Sequence, residues 1–233
     1  MSRDRAMTQT RPQPAAIFSR AFGRGARVPI SEYLPKIDAP FDWRRSLSLH
    51  RRLLAGELGV MREASENESD TLPSLAVMVL GVLLSGLGAW LWLVIDSRGA
   101  LLGESALKVL LLGSVASMLG WALMVGLTWH ALRSIFEVSV PIKALMRSMA
   151  IASGFAVWQF FMLAGPASFA VGLLVTIAGV LLAVIAVRAA TAQADERAAV
   201  ISVGIGFGVY ALLMSLLADL AGVGSGIFVH GLG

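Results

Sequence analysis

Cysteine is absent from the 233 residues, which excludes disulfides, thiolate nucleophiles and cysteine metal sites at once. Charge is scarce as well. Asp, Glu, Lys and Arg make up 15% of the chain, where a soluble domain carries about a quarter. Five long stretches hold no Asp, Glu, Lys, Arg or His: Leu75 to Ile95, Val109 to Trp129, Met149 to Ala164, Ser168 to Val187 and Ala198 to Ala218. Ionisable groups at membrane depth mark ion and proton pathways, so their absence argues against a proton-coupled transporter or pump. The three histidines, His50, His130 and His230, show no metal-ligand spacing. No metal site, no cofactor and no nucleic-acid partner are expected.

What is present in excess is apolar surface, at 57% of residues. Uncharged apolar runs of about 18 residues or more are candidate membrane spans. Inside hydrocarbon each backbone amide needs an internal partner, which a helix supplies. The five runs therefore predict an all-α fold, a polytopic bundle of five transmembrane helices. Lys and Arg orient it. Twelve of the 19 precede the first run, and Arg133, Lys143, Arg147, Arg188 and Arg197 fall in the second and fourth connections. Only Arg98 and Lys108 lie on the other side. The N-terminus is expected in the cytoplasm and the C-terminus outside, in a bacterial inner membrane. The Arg-rich, acid-poor opening "MSRDRAMTQTRPQPAAIFSRAFGRGARV" also suits a mitochondrial presequence, which makes the mitochondrial inner membrane the alternative.

Four regions follow. Residues 1–41 have scattered Pro and Arg and read as a disordered basic tail. Residues 42–71 hold "DWRRSLSLHRRLLAGELGVMREA" and the acidic spacer "SENESD". Asp42 suits a helix cap, and Trp43, Leu47, Leu54, Leu58 and Met61 recur at helical spacing. Arg44, Arg45, Arg51 and Arg52 lie beside that stripe, an arrangement suited to anionic lipid headgroups. The other reading packs this helix on the protein's own loops. Residues 72–221 form the bundle, in which Pro141 starts the third helix early and Lys143 and Arg147 snorkel toward headgroups. Residues 222–233 form a Gly-rich external tail.

The run "ISVGIGFGVY" could be a phosphate loop, an ion filter or a helix flank. It lacks the strand and Lys of a phosphate loop and the pore helix and outer position of a filter. On a helix, Gly204 and Gly208 share one face, and Ser202 and Gly206 share the opposite one. Small faces of this kind let membrane helices approach closely. Gly81 with Ser85 and Gly113 with Ser117 repeat the pattern. Gln159, a polar residue at depth, is expected to hydrogen-bond across helices. Trp121 and Trp158 are read as core, with a pigment or lipid pocket as the sharper alternative. Ser225 in "GVGSG" has only His230 as a base on its side, in a loose tail, which does not make a catalytic site.

From about Trp129 to Leu213 the chain resembles the Yip-domain membrane proteins. "ALRSIFEVSVPIKALMRSMAIASGF" is similar to that family's inner loop and third helix, "AGPAS" to its outer turn, and "AVRAATAQADERAAVISV" to its turn into the fifth helix. "NESDTLPS" replaces the acidic Gly-Pro motif of eukaryotic members, and Gly154 stands where a Pro is common. The resemblance implies a non-enzymatic protein that organises membrane or recruits partners through its cytoplasmic arm. An accessory subunit of a larger inner-membrane complex is the alternative, and a small-solute or lipid transporter the third reading. The bilayer, anionic headgroups and other membrane subunits are the partners considered.

Overall fold

The computed structural model describes residues 41–100, 103, 106–163, 167–224 and 226–228. The basic tail of residues 1–40, with the presequence-like stretch, lies outside the described residues. So do most of "AGPAS", Ser225, His230 and the end of the C-terminal tail. Among the described residues every regular element is helical. They are α1 (Trp43–Leu54), α2 (Gly59–Glu66), α3 (Thr71–Asp96), α4 (Ser114–Ser134), α5 (Ile142–Ser153), α6 (Ser168–Ala190) and α7 (Glu196–Ala221). A 3-10 turn at Glu68–Asp70 leads into α3, and a π-helical stretch, Ala106–Gly113, leads into α4. A 3-10 stretch, Gly154–Leu163, continues α5, and a last 3-10 turn covers Gly226–Phe228.

Four helical runs are long and apolar enough to cross a membrane: Glu68–Asp96, Ala106–Ser134, Ser168–Ala190 and Glu196–Phe228. Their outward faces carry large apolar side chains. Leu119, Leu174, Leu181 and Leu212 are each more than half exposed, which lipid tolerates and water penalises. The remaining apolar run is a composite, α5 and then the 3-10 stretch. It runs alongside α3 in the same direction: a Cβ at Gly81 would meet the Ser153 carbonyl at 2.8 Å, and one at Gly88 would meet Phe160 Cα at 2.6 Å. These two glycines let the composite lie against the α3 backbone, and this is the most extensive helix contact in the fold. The next is α4 against α7.

The region 42–64 differs from the single amphipathic helix expected. Asp42 caps α1, accepting from the Arg44 and Arg45 amides at 2.9 and 3.2 Å. The helix then stops, because Gly56 takes φ 85°, the left-handed conformation that ends helices at little cost. α2 restarts three residues later. The buried stripe of α1 is Ser46, Leu49, His50 and Leu53, so α1 packs on the bundle by a different face from Trp43 and Leu47, while Met61 of the expected stripe is buried on α2. The core includes Leu49, Val60, Met61, Leu145, Met149 and Val203.

Candidate functional site

Two places concentrate polar chemistry: the Arg-rich end of the bundle and a cavity in its middle. At the first, α1, α2, the α4–α5 loop and the α6–α7 turn meet. The Ser139 amide donates to Gln193 Oε1 at 3.3 Å, and the Ser65 hydroxyl reaches the Ala189 carbonyl at 3.3 Å. Most of the described cations therefore collect at one end, as their positions in the chain anticipated.

The four α1 arginines separate into two pairs. Arg45 lies against Asp70, with Nε donating to Oδ1 at 2.8 Å, and against Glu63 at 2.8 Å. The Asp70 side chain is only 2% exposed, so this two-point contact is a shielded, charge-assisted bond. Arg52 bridges Glu57 at 2.8 Å and Glu63 at 2.7 Å. The Arg45 and Arg52 hydrogen bonds hold the Glu63 carboxyl below the usual carboxylate range. Arg44 and Arg51 are exposed, and Arg44 sits 5.7 Å from the Trp43 ring centroid. Trp43 is 58% exposed and Leu47 43%. Together with Ser48 and Ala55 these side chains line a shallow groove on the outer face of α1.

Arg147 departs most from expectation. It does not snorkel outward: it is 5% exposed and donates to the Ala64 carbonyl at 2.8 Å and the Ser65 carbonyl at 2.6 Å. These belong to the last turn of α2, where unpaired carbonyls and the helix dipole both favour a cation. No sequence pattern marks this role, since the carbonyls that Arg147 meets lie 83 and 82 positions away. Asp70, read as part of a spacer, is in the same way an anchor.

The second place is a cavity of about 130 Å³. It lies between α3, α4, the 3-10 stretch, α6 and α7. Its polar lining is Ser85, Ser117, Trp121, Ser153, Gln159, Thr176 and Tyr210. Gln159 bonds across helices as expected: Ser85 donates to its Oε1, and its Nε2 donates to Thr176 Oγ1 at 3.1 Å. Tyr210 pairs with Ser117. The Trp121 indole nitrogen is buried with no hydrogen-bond partner among the described residues. Gly222, at φ 63°, ends α7 and turns the chain back. Ile227 and Phe228 then cover the cavity, with Phe228 edge-on to Tyr210 at 5.8 Å. This part of the tail is packed, where the glycine content suggested a loose end.

The expected packing residues divide. Gly81, Ser85, Gly113, Ser117 and Gly206 are buried. Gly113 lies against the Gly224 carbonyl, and Gly206 against the Met124 carbonyl and Thr128. Gly204 and Gly208 face open space. Among the described residues no cluster of His, Asp and Glu has the arrangement of a metal site.

Comparison of the chain with protein-family models, with curated proteins and with solved structures finds no match. The class of protein rests on the fold: an all-helical chain with four helices suited to a membrane.

Proposed function

We propose that this is a non-enzymatic, Yip-type integral protein of a bacterial inner membrane, with five crossings and its Arg-rich end in the cytoplasm. It holds anionic lipid, and partners gathered there, on the outer face of α1. The composite supports the fifth crossing. At a rise of about 1.5 Å per residue in α5 and about 2.0 Å in the 3-10 stretch, it is roughly 38 Å long, against about 30 Å of hydrocarbon. Single cysteines test the count without background, since the chain has none. Ser139→Cys and Gln193→Cys are expected to label from one side and Ser97→Cys from the other. Opposite-side labelling of the first two removes the fifth crossing.

One observation carries the functional reading: Trp43 and Leu47 stand exposed between Arg44 and Arg51, on a face turned from the bundle. Aromatic and aliphatic anchors flanked by arginines are the chemistry of an anionic interface. A spin label at Ser48→Cys is expected to immerse in phosphatidylglycerol bilayers, and to leave them after Arg44→Glu with Arg51→Glu. The same label depth in phosphatidylcholine and after the reversal refutes recognition of anionic lipid by these arginines.

The alternative, a subunit of a larger complex, has its own supporting observation. The Gly204–Gly208 face meets nothing among the described residues, and small faces admit a second helix. If that reading is right, Gly204→Leu releases stoichiometric partners in mild detergent.

A further inference from the structure

We propose that the central cavity binds a flat, uncharged ring bearing a hydrogen-bond acceptor, the head of a small membrane-dissolved molecule. Three features of the site set that chemistry. The first is size. About 130 Å³ is close to an engineered apolar cavity of about 150 Å³ that takes up benzene. The second is the wall. Trp121, Phe207, Tyr210 and Phe228 present aromatic surface, and no Asp, Glu, Lys, Arg or His lines the space. Such a site favours a neutral ring and rejects a charge, which would be desolvated without a partner.

The third feature selects an acceptor. Trp121 is 8% exposed, and its indole N–H, which can only donate, has no partner among the described residues. An unmet buried donor is costly; Trp121 lines the cavity, and in the proposed complex its indole turns to meet a carbonyl oxygen on the ligand. Gln159 adds to the same preference. One of its two amide hydrogens goes to Thr176, which leaves the other free to donate. The proposed entry is past Val175, the side chain that divides the cavity from the outer surface. An outer groove of Phe155, Trp158, Phe161 and Leu174 shares Val175 with the cavity wall. The proposal does not depend on lipid contact at α1.

Gly179 gives the means to test it. It lines the cavity, and a Cβ placed there meets nothing within 4 Å. Gly179→Leu therefore fills the space without striking backbone. The experiment is fluorine NMR on the full chain in phosphatidylcholine nanodiscs, with 4-fluoroacetophenone as probe. 1-Ethyl-4-fluorobenzene serves as the same ring without the acceptor. Saturable binding of the ketone is expected, about fivefold tighter than the ethyl compound, the contribution of one neutral hydrogen bond. Trp121→Phe keeps the ring and removes the N–H, and should lower ketone affinity by about the same factor. Gly179→Leu should abolish binding and raise the melting temperature. No saturable signal, undiminished binding in folded Gly179→Leu, or equal affinity for the two probes overturns the proposal. So does displacement of the ketone by monoolein, which gives the cavity to an acyl chain.

Discussion

Arg147 and Gly206 each fasten two elements together, by opposite means. Arg147 sits at the Arg-rich end, where it gathers the last carbonyls of α2 and pins the α1–α2 pair to α5. Gly206 sits in the α4–α7 seam and does its work by having no side chain, which leaves room for the Met124 carbonyl. The difference follows the surroundings. Water near the first region competes for every polar group, so a lasting contact needs a buried, charge-assisted bond. The second lies between two helices suited to lipid, a solvent in which apolar burial between helices offers little advantage and close packing decides.

The comparison breaks most visibly at the seam. Gly206→Leu places a Cβ 2.6 Å from a backbone carbonyl and should cost about 3 kcal/mol or more. Gly204→Leu and Gly208→Leu, two residues to either side, should stay within about 0.5 kcal/mol. Thermal unfolding in one detergent ranks the three, and equal losses erase the distinction between the two faces of α7.

A smaller and more local effect is expected at Arg147. Arg147→Met orphans two buried carbonyls, at about 1–3 kcal/mol for such a group. The loss should appear as weaker amide protection in residues 43–66, with α4 and α7 unchanged. Uniform loosening of the whole bundle counts against a local latch.

Acid sharpens the picture further. Burial holds the His50 imidazole below the ordinary histidine pKa. An undocked α1 lets His50 take up a proton as the pH falls through about 6.5, while the docked form resists. The undocked state thus binds more protons. Docking keeps its full strength above about pH 7 and weakens below it. Glu63, held low by Arg45 and Arg52, adds a loss of the same sign as the pH falls through about 4.3. Protection factors for α1 should drop between pH 7 and 5, and the drop should flatten in His50→Phe. The smallest stability effect is at the exposed arginines. Arg44→Glu with Arg51→Glu should change the melting free energy by less than about 0.5 kcal/mol, because neither side chain holds the fold.

Much of the bundle was legible in the sequence, since length, apolarity and missing charge are properties of the chain itself. Trp129 stands near the end of α4, where its indole N–H donates to the Val140 carbonyl at 3.0 Å beside Arg133. Pro141 does precede α5. The inter-helix role of Gln159 was also visible, because a lone amide at depth must find a partner. Less legible was the face of α1. By hydropathy Trp43 and Leu47 suit lipid and the protein's own loops alike. The bundle instead takes Leu49 and Leu53, with His50 between them packed beside Gly154. The sequence gives equal weight to both faces of "SVGIGFG", and only the neighbour's position separates Gly206 from Gly204.

The chain by itself determined that the protein is helical, that its helices suit lipid, and that its cations gather at one end. These follow from per-residue transfer energies and hydrogen-bond needs, which act on each segment alone. Tertiary structure decided which arginines are shared with carboxylates and which stand free. It decided that Arg147 faces inward, and that a space lined by aromatic rings remains at the centre, beside an indole with no hydrogen-bond partner among the described residues. Those outcomes depend on distances between residues far apart in sequence, such as the 83 positions from Ala64 to Arg147. No local pattern encodes a partner that the chain meets only when it packs.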